Sequence, residues 1–163
     1  MAKSAFAKKA EASIKERTLV DVRRFQASRE RVFDAWMDKA QIAQWMGPEG
    51  FTVPSVEADP RVGGTYKITM RSPAGSTHTV AGTYCEIKRG SRLVFTWAWQ
   101  DGTAQGPVTC VTLELKAAGK GSELRVHHAL FEDRAGRDSH RGGWTQALDK
   151  LGRYVKRKAQ ASR

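Results

Sequence analysis

His140-Arg-Gly-Gly-Trp-Thr-Gln-Ala-Leu-Asp-Lys-Leu-Gly-Arg-Tyr-Val155 is the stretch that decides the fold. Trp144, Leu148, Leu151 and Val155 recur at i, i+4, i+7 and i+11, with Ala147 and Tyr154 beside them. That spacing makes one apolar stripe on a 3.6-residue helix. The opposite side carries Lys150, Arg153, Lys156 and Arg157, cations that also suit the negative end of the helix dipole. Such a helix must lie on an apolar surface. Residues 53–131, which precede it, read almost wholly as strand. The expected arrangement is a sheet with one terminal helix laid across it.

Working back from the helix, the hydrophobic period is two. Thr52 to Val56 is a short strand whose Pro54 suits an edge. Tyr66, Ile68 and Met70 alternate with polar residues, as do His78, Val80, Gly82 and Tyr84, up to Ile87. Leu93, Phe95, Trp97 and Trp99 follow, then a polar loop from Gln100 to Gly106. Val111, Leu113 and Leu115 share one strand face, and Leu124, Val126, His128 and Leu130 another. Turns of the Ser72-Pro-Ala-Gly75 kind separate these runs. Short consecutive strands joined by tight turns imply an antiparallel sheet with one covered face.

Upstream, Leu19, Val20, Val22 and Phe25 read as a first strand. Ser28 is a helix N-cap before Val32, Phe33, Ala35 and Trp36. Asp38 with Gln41 has capping-box spacing, and Gly47-Pro48 stops the short helix of Ile42, Trp45 and Met46. The order β-α-α-β-β-β-β-β-β-α defines an α+β domain over residues 18–156. Residues 1–17 are a basic extension, frayed or helical, and residues 157–163 a basic tail.

The formal net charge of +11 is concentrated at these ends: residues 1–17 hold five Lys/Arg against two Glu, and residues 150–163 six Lys/Arg and no acid. Solubilising termini account for this better than a nucleic-acid surface, which would put a basic stripe on the folded domain. No apolar run reaches membrane-span length, and the N-terminus has no signal-peptide core. The reading is soluble and cytoplasmic. Cys85 and Cys110 lie on strands separated by a third, beyond disulfide reach, and are expected as free thiols.

One helix about 10 Å wide cannot cover a sheet about 30 Å across. Unless side chains close the gap, an apolar cavity remains beside it. The inward set is large: Tyr66, Met70, Phe95, Trp97, Trp99, Phe131 and Trp144, with Ile68, Val111, Leu113, Leu148 and Leu151 around them. Trp45, Met46 and Phe51 complete the expected lining, and His78, Tyr84 and His128 are its polar members. His128, Glu86 and Tyr84 are the acid–base candidates. A histidine on an apolar strand face is more often a satisfied core residue than a ligand or base. His127-His128 is a poor metal clip, because neighbouring strand residues face opposite ways. No metal or cofactor is expected.

The segments Arg24-Phe-x-Ala-Ser-Arg-Glu-Arg-Val-Phe-Asp-Ala-Trp36 and Gln44-Trp-Met-Gly-Pro48 resemble the START-like (SRPBCC) proteins. The resemblance is to the branch named for the activator of the heat-shock-protein (Hsp) ATPase homologue. Asp59-Pro-Arg-Val-Gly-Gly-Thr-Tyr66, Gly82-Thr-Tyr-Cys-Glu-Ile87, Arg92-Leu-Val-Phe-Thr-Trp97 and Gly143-Trp-Thr-Gln-Ala-Leu-Asp-Lys-Leu151 extend it over about residues 18–156. It implies the helix-grip (START/Bet v-like) fold, a curved antiparallel sheet around a long C-terminal helix. That branch often has a second Trp where Met46 stands, so a mouth built with Met46 is softer.

Three functions follow as expectations. The first is binding of a small apolar or aromatic molecule in the cavity. The second is a cyclase or hydrolase using the same cavity, although no nucleophile–base motif is visible. The third, from the family name, is a chaperone partner in a stress response. The chain is expected as a monomer or homodimer, with no membrane or specific nucleic-acid partner.

Overall fold

The computed structural model describes residues 4–100 and 106–161. Helix α1 (Ala5–Glu16) leads into strand β1 (Leu19–Phe25) and two short helices, α2 (Arg29–Met37) and α3 (Lys39–Trp45). Six strands follow: β2 (Thr52–Ala58), β3 (Thr65–Arg71), β4 (Thr77–Lys88), β5 (Arg92–Trp99), β6 (Thr109–Ala118) and β7 (Gly121–Ala129). Helix α4 (Arg134–Ala161) comes last. The polar loop expected from Gln100 to Gly106 lies, except at its two ends, outside the described residues.

The strands form one curved antiparallel sheet in the order β1-β7-β6-β5-β4-β3-β2. β2 to β7 run as a meander and β1 returns to flank β7, so β1 and β2 are the edges. Pro54 sits on edge strand β2 where the register with β3 shifts between Thr52 and Ser55; its missing N–H falls where the ladder is already broken. β5 separates Cys85 on β4 from Cys110 on β6, and both thiols are free.

The caps follow the side-chain chemistry. Ser28 accepts a hydrogen bond from the Arg31 amide, and Asp38 one from the Ala40 amide. Gln41 reaches back as its spacing suggests, but its amide donates to the Asp38 carboxylate rather than to a backbone group.

Four glycines (Gly136, Gly142, Gly143 and Gly152) interrupt α4, each costing about 0.8–1 kcal/mol of helix propensity relative to Ala. The helix therefore depends on its stripe. Trp144, Ala147, Leu148, Leu151, Tyr154 and Val155 are all buried, and full burial of one Leu or Val contributes about 1.5–3 kcal/mol. They join Leu19, Val111, Leu113, Leu124 and Val126 of the sheet in one core. Arg23 of β1 reaches the helix too, pairing with Asp149 and donating to the Thr145 carbonyl.

On two strands the inward face differs from the run of apolar residues. In β1 the helix-facing positions are Leu19, Asp21, Arg23 and Phe25, whereas Val20 and Val22, read as apolar strand members, are each 42% exposed on the other face. In β4 the register with β5 shifts between Tyr84 and Glu86. This bulge turns Glu86 away from the face that Tyr84 occupies. At the exit of β7, Leu130 takes φ 69° and stands 64% exposed. That left-handed turn, strained for a branched side chain, lets the next residue, Phe131, point into the core.

Candidate ligand pocket

The space between α4 and the sheet is divided. Its deep part is filled by rings that α2 and α3 bring in. Trp36 and Trp45 pack edge to face with centroids 4.6 Å apart, and Trp36 also meets Phe95 at 6.2 Å and Trp144 at 5.9 Å. Trp45 is held by an indole N–H bond to the Ala35 carbonyl. What remains there is a void of about 20 Å³. It is walled by Tyr66, Ile68, Tyr84, Phe95, Trp97 and Met46, with Trp36, Ile42 and Leu93. The sheet width that one helix leaves uncovered is thus largely occupied by the two short helices.

The other part is open. A pocket of about 320 Å³ lies between the start of α4, the end of β5 and the turn after α3, a volume in the range of small-molecule sites. Met46, Met70, Trp97, Trp99 and Trp144 of the expected set line it. Gly47, Pro48, Ser139, His140, Gly143 and Ala147 complete the walls. None of these residues is an Asp, Glu, Lys or Arg. Trp97 stands at 5.5 Å from both Trp99 and Trp144, and Trp97 and Met46 border both spaces.

The remaining expected residues lie elsewhere. Trp45, Val111, Leu113, Leu148 and Leu151 are core, 0–1% exposed. His78 pairs with Met70 across β3 and β4 and packs on Phe51 with centroids 6.3 Å apart; neither ring lines the pocket. Phe131 packs at a tilt against His128, with centroids 4.3 Å apart, and against His140 at 4.8 Å, behind the wall.

His128 is fully buried and its hydrogen bonds are committed. Its Nδ1 accepts from Trp144 Nε1–H at 2.9 Å. An indole can only donate, so the His128 proton sits on Nε2 and is given to Thr109 Oγ1 at 2.6 Å. The Thr109 hydroxyl then donates to the Trp97 carbonyl. Burial, with His140 close by, pushes the His128 imidazole down to about 3, so it stays neutral. The other two acid–base candidates do not join it. Glu86 lies beyond the bulge in ion pairs with Arg92 and Lys88, and its hydrogen bond from Arg92 holds the carboxyl below its usual range. Burial pushes the Tyr84 phenol up to about 12. The three groups occupy no common site.

Two contributors went unrecognised in the sequence. His140 stands in the wall, accepting from Trp99 Nε1–H at 2.9 Å and contacting the Gly136 carbonyl through Nδ1 at 2.8 Å. Its spacing of four from Trp144 was the available signal, since it prolongs the apolar stripe by one turn. For Lys150 the sequence shows only a cation on the side of α4 opposite its apolar stripe. Its ammonium instead lies 3.3–3.4 Å from the carbonyls of Met46, Gly47, Pro48 and Phe51, and burial lowers its pKa. With Gln146, which accepts from the Glu49 amide, and Arg153, which pairs with Glu49, it fastens the pocket-side turn to α4.

A close approach explains one glycine in the sheet. A Cβ on Gly82 would fall 2.8 Å from the Tyr66 ring and far inside contact with the Thr96 carbonyl. The Tyr66 hydroxyl crosses there and donates to that carbonyl, while Thr96 Oγ1 accepts from the Thr83 amide. Tyr66 thus ties β3 to β5 across β4, and Thr96 ties β5 to β4.

No helix among the described residues is long and apolar enough to cross a membrane. None of the curated proteins matches the chain. Among solved structures it is similar to a protein from Chromobacterium violaceum, with 32% identity over 85% of this chain and 96% of that one and a TM-score of 0.78. It is also similar to the AHSA1 protein from Silicibacter pomeroyi, with 29% identity over 86% and 99% of the two chains and a TM-score of 0.77. A Nitrosomonas europaea protein shares the fold at 18% identity, 88% and 97% coverage and a TM-score of 0.75. The model of the family described as Activator of Hsp90 ATPase homolog 1-like protein matches residues 26–156. With its helix-grip architecture and that match across most of its length, the chain belongs to this family.

Proposed function

We propose that this protein is an intracellular binding module for a small hydrophobic or aromatic molecule, held between β5, the turn after α3 and the first half of α4. The observation that carries this reading is the contrast in filling: about 320 Å³ stays open where the walls are indole, thioether and imidazole, while the deep part of the same interior closes to about 20 Å³. Apolar walls with few oriented polar groups favour an apolar guest, because a charged one would lose its hydration without a counter-ion. An exposed free thiol at Cys85 suits a reducing compartment.

The test is titration with N-phenyl-1-naphthylamine, a neutral apolar fluorophore, following probe and tryptophan emission together. Saturable enhancement with one site per chain supports the proposal; a flat titration up to the solubility limit contradicts it. Native mass spectrometry of freshly purified protein would show any retained molecule and the number of subunits at once. The family match motivates a second reading, partnership with an Hsp90-type chaperone. It predicts a change in the chaperone's ATPase rate when this protein is added, and an unchanged rate contradicts it.

A further inference from the structure

The sheet ends on two unlike edges. β2 carries Pro54 and a register shift against β3, two features that keep a further strand away. β1 has neither. Its seven residues pair with β7 without a break, from Leu19 opposite His128 to Phe25 opposite Ser122. Beyond β1 the sheet has no neighbour, and among the described residues no backbone bond from another segment reaches residues 19–25 on that side.

The ends of the strand show which of its groups are left open. The Phe25 carbonyl lies against Gly121 of β7, where an added Cβ would fall far inside contact. Just before the strand, the Arg17 carbonyl accepts from the Phe131 amide beyond β7. Phe25 therefore turns its backbone groups towards β7, and by the alternation of an antiparallel ladder so do Leu19, Asp21 and Arg23. Val20, Val22 and Arg24 hold their N–H and C=O groups outward, a template for another strand.

The side chains narrow what that strand can be. Asp21 and Arg23 stand on the helix-facing side, while Val20, Val22 and Arg24 are exposed on the other. Inward charges on an edge ordinarily repel an arriving strand. A second copy of β1, running antiparallel with the two-fold axis at Val22, is matched to them instead. It sets Asp21 beside Arg23 of the copy and Arg23 beside its Asp21, with Val20 beside Arg24 and Val22 beside Val22. Moving the axis by one residue either way sets Asp21 on Asp21 or Arg23 on Arg23, so charge selects a single register.

We propose that β1 is a self-recognition edge, which pairs antiparallel with β1 of a second copy about Val22 and joins two seven-stranded sheets into one. The contact is narrow: seven residues make an edge about 24 Å long, so the dimer is weak and depends on concentration. No residue of β1 lines the pocket between β5 and α4. Ligand binding and self-pairing are therefore separate properties, and failure of one leaves the other standing.

The experiment is sedimentation equilibrium in physiological salt, from about 10 µM to about 1 mM protein, on the wild type, Val22→Lys, Val22→Glu and an equimolar mixture of the two variants. Val22 is 42% exposed, so either substitution leaves the ladder to β7 in place, which matching circular dichroism spectra would verify. The wild type should pass from monomer towards dimer across the range. Each variant alone sets like charges against each other at the axis and should weaken association at least about tenfold. The mixture sets opposite charges there and should regain most of the lost affinity. A wild-type chain that stays monomeric throughout would overturn the proposal and leave the edge to an extended segment of another protein. A dimer that Val22→Lys leaves intact, or a mixture no tighter than the single variants, would overturn it as well.

Discussion

The deep and open parts of the grip are made of the same residue types, yet one is packed shut and the other is not. In the deep part, Trp36 and Trp45 enter from α2 and α3 and meet Phe95 and Trp144, leaving about 20 Å³. At the mouth, Trp97, Trp99 and Trp144 face Met46, Pro48 and a glycine of α4 across about 320 Å³. Aromatic content alone therefore does not decide whether such a space is core or pocket. What decides is whether a second layer of side chains arrives from the facing element, and at Gly143 none does.

Two histidines 5.3 Å apart sharpen the contrast. His128 lies behind the wall with both ring nitrogens bound, and His140 lies in the wall itself. The largest effect is expected at the first. His128→Ala removes a ring packed between Phe131, Trp97 and Trp144 and strands the Trp144 indole N–H. It should cost about 3–5 kcal/mol in chemical denaturation. The half-buried His140, replaced in the same way, should cost about 1 kcal/mol. Equal losses at the two positions would break the division between core and wall.

Proton linkage tests the same difference without removing the ring. The unfolded chain takes up a proton on His128 as the pH drops through about 6.5, whereas the folded chain resists until about 3. The unfolded state thus binds more protons in this window, so stability present above pH 6.5 is lost as the pH falls. The loss should amount to about 1.4 kcal/mol per pH unit, roughly 2 kcal/mol by pH 5. His128→Gln should lack this component when unfolding free energies at pH 5 and pH 7 are compared.

A smaller effect is expected at the turn that forms the pocket edge. Lys150→Met leaves the carbonyls of Met46, Gly47, Pro48 and Phe51 without their shared cation. The expected cost is about 1–2 kcal/mol. Because this turn forms one pocket wall, probe affinity should fall about 3-fold along with the denaturation midpoint. Unchanged affinity would mean that the wall holds its place without the lysine.

The sequence made the architecture readable because α4 and the strands bury one face each, and periods of 3.6 and 2 record that directly. One edge of the sheet could be anticipated as well, from Pro54, which has no N–H to give to a second neighbour. The division of the interior was less legible. Trp36 and Trp45 were recognisable as buried helix residues, but their insertion beside the sheet depends on where α2 and α3 dock, which no local period encodes. Glu86 shows the same limit at smaller scale. Strict alternation from Tyr84 puts it on the inner face, and a bulge, invisible as a period, turns it out. His140 was readable through its spacing from Trp144, whereas the carbonyl cage around Lys150 needed the fold of the 46–51 turn.

The most direct test of the account is the pocket-filling variant Gly143→Leu. A Cβ at this position would meet nothing nearer than Pro48 Cγ at 3.9 Å, so the new side chain can enter the open space. Leucine also improves helix propensity by about 0.8 kcal/mol. The account predicts that N-phenyl-1-naphthylamine affinity drops at least about tenfold, about 1.4 kcal/mol, while the melting temperature holds or rises. Undiminished binding in a folded Gly143→Leu protein would contradict it, because the guest would then have to lie somewhere other than beside α4.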